Sequence, residues 1–239
     1  MQVPITQHQL MTESDQPPTR RRLAHGLNKK LARYGPERLS DAELLAMLTR
    51  RCRSGTDPIE QAYASLQQFG GIQELLAADA RGFCTQTPLG LSSWACLQAA
   101  RELFRRASLE QLHERDVLGS PARVRDFLGL WLRDRPSEIF AGLFLDNRNR
   151  VIAALELFRG TLNQTAVYPR EVARQALRLN AAAVIFAHNH PSGIAEASEA
   201  DRRLTDALKS ALAQIDVSVL DHLIIASNRC ISFAERGWL

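Results

Sequence analysis

The sequence predicts an α/β fold, a mixed β-sheet flanked by helices and preceded by a small all-α domain. Three observations carry that expectation. No strand pattern appears before about residue 138. Beyond it, apolar runs suited to buried strands alternate with helical stretches, and one tight hairpin interrupts them. One of those runs, Val184-Ile185-Phe186-Ala187, ends in His188-Asn189-His190-Pro191-Ser192-Gly193, two histidines one residue apart before a forced turn.

Residues 1–19 are polar and aperiodic and are expected to form a mobile tail. A helical domain is expected over 20–106. Its first stretch carries six basic residues and no acid up to Arg33 (Arg20, Arg21, Arg22, Lys29, Lys30, Arg33). Such a run is either a phosphate-contacting arm or a solvated helix face. Ser40 with Glu43 three residues on is a capping box, so a helix follows over 41–50. Ile59–Phe69 repeats Ala62, Leu66 and Phe69 on one side and stops at Gly70-Gly71. Ile72–Ala77 is a short helix, Thr87-Pro88-Leu89-Gly90-Leu91 a turn, and Ser93–Arg106 a further helix. Residues 107–119 are polar without a clear core and are expected to be a linker.

The second domain is expected over 120–239. Ser120-Pro121 begins a helix with Ser as N-cap and Pro at the first position, followed by Val124, Phe127, Leu128 and Trp131 at helical spacing. Ile139–Leu145 is a buried strand, Asp146-Asn147-Arg148-Asn149 a hairpin turn, and Val151–Phe158 the return strand. A helix runs from Pro169 to about Leu179. Ala181–Ala187 is the strand that leads into the histidines. Ser198–Ile215 is a helix with Leu204, Ala207, Leu208, Ala211 and Leu212 on one face. Strands Val217–Ala226 and Cys230–Phe233 close the chain, with a turn at Ser227-Asn228.

Composition narrows the function classes. With 239 residues and 45% apolar content the chain can bury one large core or two small ones. No segment approaches the ~18 consecutive apolar residues of a membrane span. The N-terminus shows no secretory pattern. Cys52, Cys84, Cys96 and Cys230 are scattered and form no Cys-x-x-Cys pair, which favours reduced thiols and a cytoplasmic location over a cysteine metal site. A net charge of +4 is compatible with a nucleic-acid partner but too mild to establish one.

The chemistry centres on the histidine pair. Residues i and i+2 of an extended chain project from one face, so His188 and His190 can converge on a point. Ser198 is an N-cap, and Asp201 falls in the first helical turn, where a carboxylate suits the helix dipole. Two imidazoles and one carboxylate can bind one zinc ion per chain and leave a position for water, the arrangement of catalytic zinc. An activated water needs a base to take its proton and a donor for the oxyanion that forms. Ser198 is placed to be that donor, to cap the helix, or both. The base should be a carboxylate outside the ligand set. Glu138, Glu156 and Glu171 are the candidates, and Glu171 also suits a plain helix-start role. His222 could support the site from behind, although a hydrogen-bonded core histidine is the more ordinary reading.

The pattern His188-x-His190, seven residues, Ser198, two residues, Asp201 is the JAMM metalloprotease signature of JAB/MPN domains. The longer string His188-Asn189-His190-Pro191-Ser192-Gly193 resembles the bacterial RadC family, with Ala197 where such sequences usually have Pro. The resemblance covers roughly residues 20–239. Arg159-Gly160-Thr161 and Tyr168-Pro169-Arg170-Glu171 also match RadC-like sequences, and Arg170 is either a plain surface arginine, the default, or one that steers an anionic substrate. The resemblance implies a JAB/MPN, cytidine-deaminase-like sheet and zinc-dependent cleavage of peptide or isopeptide bonds. It carries the general-base role onto Glu138, at the start of the first core strand.

Tyr34 to Leu45 and Ala99 to Leu103 are similar to the RadC N-terminal domain, which looks like a helix–hairpin–helix module. Such hairpins offer backbone N–H groups to phosphate. Here Pro88, which has no N–H, stands where the first glycine is expected. Two functions therefore compete: a zinc hydrolase acting on a peptide or protein substrate, and a DNA-associated protein of repair, recombination or replication. Salt-sensitive DNA binding would mark the second. A nucleoside deaminase would need His-x-Glu and Pro-Cys-x-x-Cys, and neither is present.

Overall fold

Local signals set most of the element ends in the computed structural model, which describes residues 20–49, 57–160, 167–227 and 229–239, and side chains from residue 25 onward. The expected tail at 1–19 and the side chains of Arg20, Arg21 and Arg22 lie outside this set, as do Arg50, Cys52, Thr161 and Asn228. The chain divides into two compact units, residues 1–99 and 100–239. No described helix is long and apolar enough to cross a membrane.

The first unit is helical: α1 (Arg20–Tyr34), α2 (Asp41–Leu48), α3 (Pro58–Phe69), α4 (Ile72–Ala77), α5 (Ala80–Gln86) and the start of α6 (Gly90–Glu114). The capping box at α2 forms as the sequence predicts. Glu43 N–H donates to Ser40 Oγ at 3.3 Å, and Ser40 N–H to Glu43 Oε2 at 2.8 Å. Glu43 also takes the ammonium of Lys30 at 2.7 Å, so one charge of the basic run serves the fold. That hydrogen bond, with the Ser40 N–H, holds the Glu43 carboxyl below its ordinary range. Leu27, Ala42, Leu45, Ala46, Ala62, Leu75, Phe83, Leu89 and Leu97 make the core. Helix α5 is absent from the sequence reading. Asp79 caps it, accepting from Gly82 N–H at 2.6 Å, but Gly82 inside the helix weakens the pattern. At the hairpin, Leu89 N–H donates to Thr87 Oγ1 at 3.3 Å.

The second unit is built on a five-stranded mixed sheet in the order β2-β1-β3-β4-β5. Its strands are β1 (Ile139–Leu145), β2 (Val151–Arg159), β3 (Ala183–Asn189), β4 (Ser218–Ile225) and β5 (Cys230–Ser232). Strand β3 runs antiparallel to β1 and parallel to β4, while β1–β2 and β4–β5 are antiparallel. Helices α7 (Pro121–Leu132), α8 (Pro169–Arg178) and α9 (Glu199–Ala213) cover its two faces.

Period-two alternation sorts the side chains. Ile139, Ala141, Leu143, Leu145, Ile185 and Ala187 pack with Val124, Phe127, Leu128 and Trp131 of α7. Phe140, Phe144, Val184 and Phe186 pack with Val172 and Ala176 of α8 and Leu208 and Leu212 of α9. Because both faces are covered, every residue of β1 and β3 is buried, which explains why both read as continuous apolar runs.

Two boundaries differ from the sequence reading. Residues 107–119 are not an open linker: α6 continues to Glu114, and Leu112 and Val117 are buried in the α7-side core. Leu109 and Leu112 supply too few apolar positions to reveal that last stretch of helix. Strand β3 is Ala183–Asn189 rather than Ala181–Ala187. Asn180 adopts a left-handed φ of 51°, and Ala181 N–H still caps α8 through Ala176 O at 3.0 Å, so the strand starts later and carries His188 itself.

Truncating Phe144, fully buried between β1 and α8/α9, should cost about 3–5 kcal/mol in denaturant unfolding. Phe104→Ala, at a side chain 68% exposed, should change stability by less than about 0.5 kcal/mol.

Candidate metal centre

Strand β3 places His188 on the α8/α9 face, in line with Val184 and Phe186. Its side chain is 1% exposed. His190 lies one residue past the strand, yet its backbone N–H still donates to Ile225 O of β4 at 3.0 Å. The chain then turns: Gly193 N–H donates to His190 O at 2.9 Å, with Gly193 at φ 75°. The conformation requires glycine, and a Cβ there, 2.6 Å from Ser227 Oγ, would also have to displace that hydroxyl.

The turn delivers α9. Ser198 Oγ accepts from Asp201 N–H at 3.1 Å, and Asp201 Oδ2 accepts from Ser198 N–H at 2.8 Å and from Ser198 Oγ–H at 2.6 Å. Asp201 is thus fixed by the capping box and aims back at the strand. His188 Nε2 is 2.9 Å from His190 Nε2 and 3.3 Å from Asp201 Oδ1, and His190 Nε2 is 4.0 Å from Asp201 Oδ2. The three ligand atoms lie within 4.8 Å of one another and could hold a metal ion.

The donor set fits a cation. His190 Nδ1 donates to the carbonyl of Ile194 at 2.9 Å, and a carbonyl can only accept, so neutral His190 keeps a lone pair on Nε2. That lone pair, the His188 Nε2 beside it and the Asp201 carboxylate converge from three elements. Burial, reinforced by the neighbouring His190, pushes the His188 imidazole down to about 4, with Asp201 opposing. A neutral ring, the form able to ligate, is therefore the state favoured near pH 7.

Behind the group, His188 Nδ1 meets His222 Nε2 at 2.8 Å, and His222 Nδ1 meets Thr205 Oγ1 at 2.6 Å. His222 is fully buried, and desolvation holds its imidazole well below the ordinary range. It is a hydrogen-bonded core histidine that also contacts one of the three candidate metal-holding residues.

The three candidate carboxylates separate. Glu156 is paired with Arg135 at 3.0 Å and Arg159 at 2.7 Å, and Glu171 with Arg174. Glu138 is half-buried within electrostatic reach of His190 and Asp201. Burial raises its carboxyl above the ordinary range, with Asp201 adding to the rise and His190 opposing it. Its backbone carbonyl accepts from Gly160 N–H at 2.9 Å, which gives Gly160 a place in the site. Arg170, 82% exposed, lies over the Tyr168 ring at 5.6 Å.

Two residues of the site escape the sequence reading. Thr205 is one. The other is Asn189, which points to the α7 side of β3. Its Oδ1 accepts from Ile139 N–H at 2.8 Å, and its Nδ2 donates to Ser137 O at 3.1 Å and Arg135 O at 3.4 Å. It thereby clamps the segment that carries Glu138 to the strand that carries the histidines. The signal was present, since a fully buried Asn between two apolar-strand histidines must have partners.

Fold and donor group together define a JAB-type α/β domain with a His-x-His and Asp group able to hold a metal. Residues 118–238 match the RadC-like JAB domain, and residues 28–95 match the domain described as UPF0758 N-terminal. A UPF0758 protein of Aeromonas hydrophila is 53% identical over 211 residues, covering 88% of this chain and 94% of that one. UPF0758 proteins of Leptothrix cholodnii and Halorhodospira halophila are 54% and 51% identical over the same length, again 88% of this chain, and 95% and 94% of theirs. The chain belongs to the UPF0758 family, with a RadC-like JAB domain.

Two outcomes follow from this geometry. Asn189→Ala leaves Ile139 N–H and two carbonyls without their partner and should cost about 1–3 kcal/mol in thermal or denaturant unfolding. The metal-free protein should lose stability as pH falls. His188 titrates near 6.5 unfolded and about 4 folded, so the unfolded state binds the extra proton between those values. Stability is therefore fully present above about 6.5 and declines toward 4, by on the order of 1.4 kcal/mol per pH unit for each such group. A thermal midpoint that stays flat across this window would contradict the burial of neutral His188.

Proposed function

We propose that the protein is a zinc-dependent hydrolase of JAMM type that cleaves a peptide or isopeptide bond. The observation that carries this reading is the convergence of His188, His190 and Asp201 with the half-buried carboxylate of Glu138 alongside. His188 and His190 Nε2 and the Asp201 carboxylate would hold the ion. When bound there, zinc supplies a Lewis acid and lowers the pKa of a water at its open position.

The remaining work belongs to side chains of this chain. Glu138, with its proton affinity raised by burial, takes the proton from water and can return it to the leaving amine. Asn189 holds the Glu138 segment at a fixed distance from β3. Ser198 gives its hydroxyl proton to Asp201 Oδ2; with a cation neutralising that carboxylate, the same hydroxyl can turn to a developing oxyanion. A cytoplasmic setting agrees with the free thiols of Cys84, Cys96 and Cys230.

Metal analysis of purified protein tests the ligands. Wild type should carry about one zinc per chain and His190→Ala should lose it. Glu138→Gln should keep the zinc and lose about 10²–10⁴-fold in hydrolysis, measured on a panel of peptide and isopeptide substrates that wild type cleaves. Zinc content unchanged by His190→Ala would remove the ligand assignment. Full activity in Glu138→Gln would remove the base.

A further inference from the structure

The ring of His188 can ligate through Nε2 only if its single proton sits on Nδ1. Nothing in the ligand group enforces that. Asp201 Oδ1 lies 3.3 Å from His188 Nε2 and the lone pair of His190 Nε2 lies 2.9 Å from it, so in the absence of an ion both favour the opposite tautomer, with the proton on Nε2.

We propose that Thr205 and His222 form a positioning relay that withholds the proton from His188 Nε2 and so presets the ring for a metal. The inference rests on the reading of this site as a metal centre. Its direction follows from three contacts. Thr205 Oγ1 lies 2.6 Å from the backbone carbonyl of Asp201. A carbonyl has no proton, and two oxygen lone pairs at that distance would repel, so the threonine proton points at Asp201 O. The hydroxyl then faces His222 Nδ1, 2.6 Å away, with a lone pair. His222 Nδ1 must therefore carry the proton of that ring. A neutral imidazole has one, which leaves His222 Nε2 as an acceptor, and its partner at 2.8 Å, His188 Nδ1, becomes the donor. The lone pair of His188 is left on Nε2, facing His190 and Asp201.

The surroundings hold the relay in this sense. His222 is enclosed by Phe140, Phe186 and Phe233, with ring centroids 5.4, 6.3 and 4.8 Å away. An unsatisfied N–H in that pocket carries its full desolvation cost, so a break anywhere along the chain propagates. The relay also starts and ends on ligands. Thr205 sits one turn after Asp201 and touches its backbone, while His222 touches His188, so the helix ligand and the strand ligand are joined through a β4 residue.

The test measures the tautomer and the affinity separately. Long-range ¹H–¹⁵N spectra of the metal-free protein report which ring nitrogen carries the proton. Zinc affinity is measured by chelator competition. In wild type, His188 and His222 should both carry the proton on Nδ1. Thr205→Val keeps the shape and removes the acceptor; it should shift His188 toward the Nε2–H form and weaken zinc about 10–100-fold. Thr205→Ser should restore both readouts. His222→Gln, whose side-chain oxygen can accept from His188 Nδ1–H, should retain more affinity than His222→Phe. A wild-type His188 with its proton on Nε2, or a folded Thr205→Val that binds zinc as tightly as wild type, would overturn the relay. If wild type binds no zinc, the metal reading fails, and the ring-nitrogen spectra still decide the relay.

Discussion

The alternation of side chains along β3 is the constraint from which the rest of the second unit follows. The strand lies between β1 and β4 with helices over both faces, so each of its residues must satisfy a buried environment on one side or the other. Val184, Phe186 and His188 fall on the α8/α9 face, and Ile185, Ala187 and Asn189 on the α7 face. One strand therefore delivers a candidate metal ligand to one side and a backbone clamp to the other in consecutive positions. A one-residue slip of register would exchange them, placing an amide where an imidazole is needed and an imidazole against the 135–139 segment. The apolar residues before His188 fix that register, so core packing and chemistry are specified together.

The same burial sets the electrostatics. Three imidazoles are packed in series, with His188 centroids 4.8 Å from His190 and 4.9 Å from His222. Charging any two of them in such a setting is strongly unfavourable, and desolvation is the leading cause of the lowered pKa of both His188 and His222. The low-dielectric wall thus keeps His188 and His222 neutral. Neutral rings ordered by hydrogen bonds present lone pairs, and lone pairs directed at a carboxylate-lined point suit a cation. Asp201 supplies the negative charge at the N-terminus of α9, where the capping box and the helix dipole both stabilise it.

What the sequence could show was whatever is local. His188, His190, Ser198 and Asp201 fall within one turn-linked segment, and their spacing alone suggests the group that the structure brings together. The alternation of apolar strands and helices was enough for the mixed sheet. Choosing among Glu138, Glu156 and Glu171 needs tertiary pairing. Glu156 is engaged by Arg135, far off in sequence, and Glu138 comes within electrostatic reach of His190 because β1 pairs with β3. His222 and Thr205 are seventeen residues apart and meet because β4 runs beside β3 under α9. Helix α5 and the last turns of α6 were hidden for a different reason: Gly82 weakens the first, and the second has too few apolar positions to show a period.

Every residue given a part in the proposed chemistry lies between Arg135 and His222, inside the second unit. Among its described residues the helical unit supplies neither a member of that metal-capable group nor a candidate base, and it has its own core of Leu45, Ala62, Leu75 and Phe83. Its hairpin is a poor phosphate cradle, since Pro88 has no N–H and the N–H of Leu89 is taken by Thr87. Lys30, in the basic run, is committed to Glu43. One cation of the basic run is thus used in holding the helices together, whereas the imidazoles and the carboxylate beside β3 converge on one point. A charge paired within the fold and a set of donor atoms aimed at a common centre are different uses of polar side chains, and the second is what a cation-binding group requires.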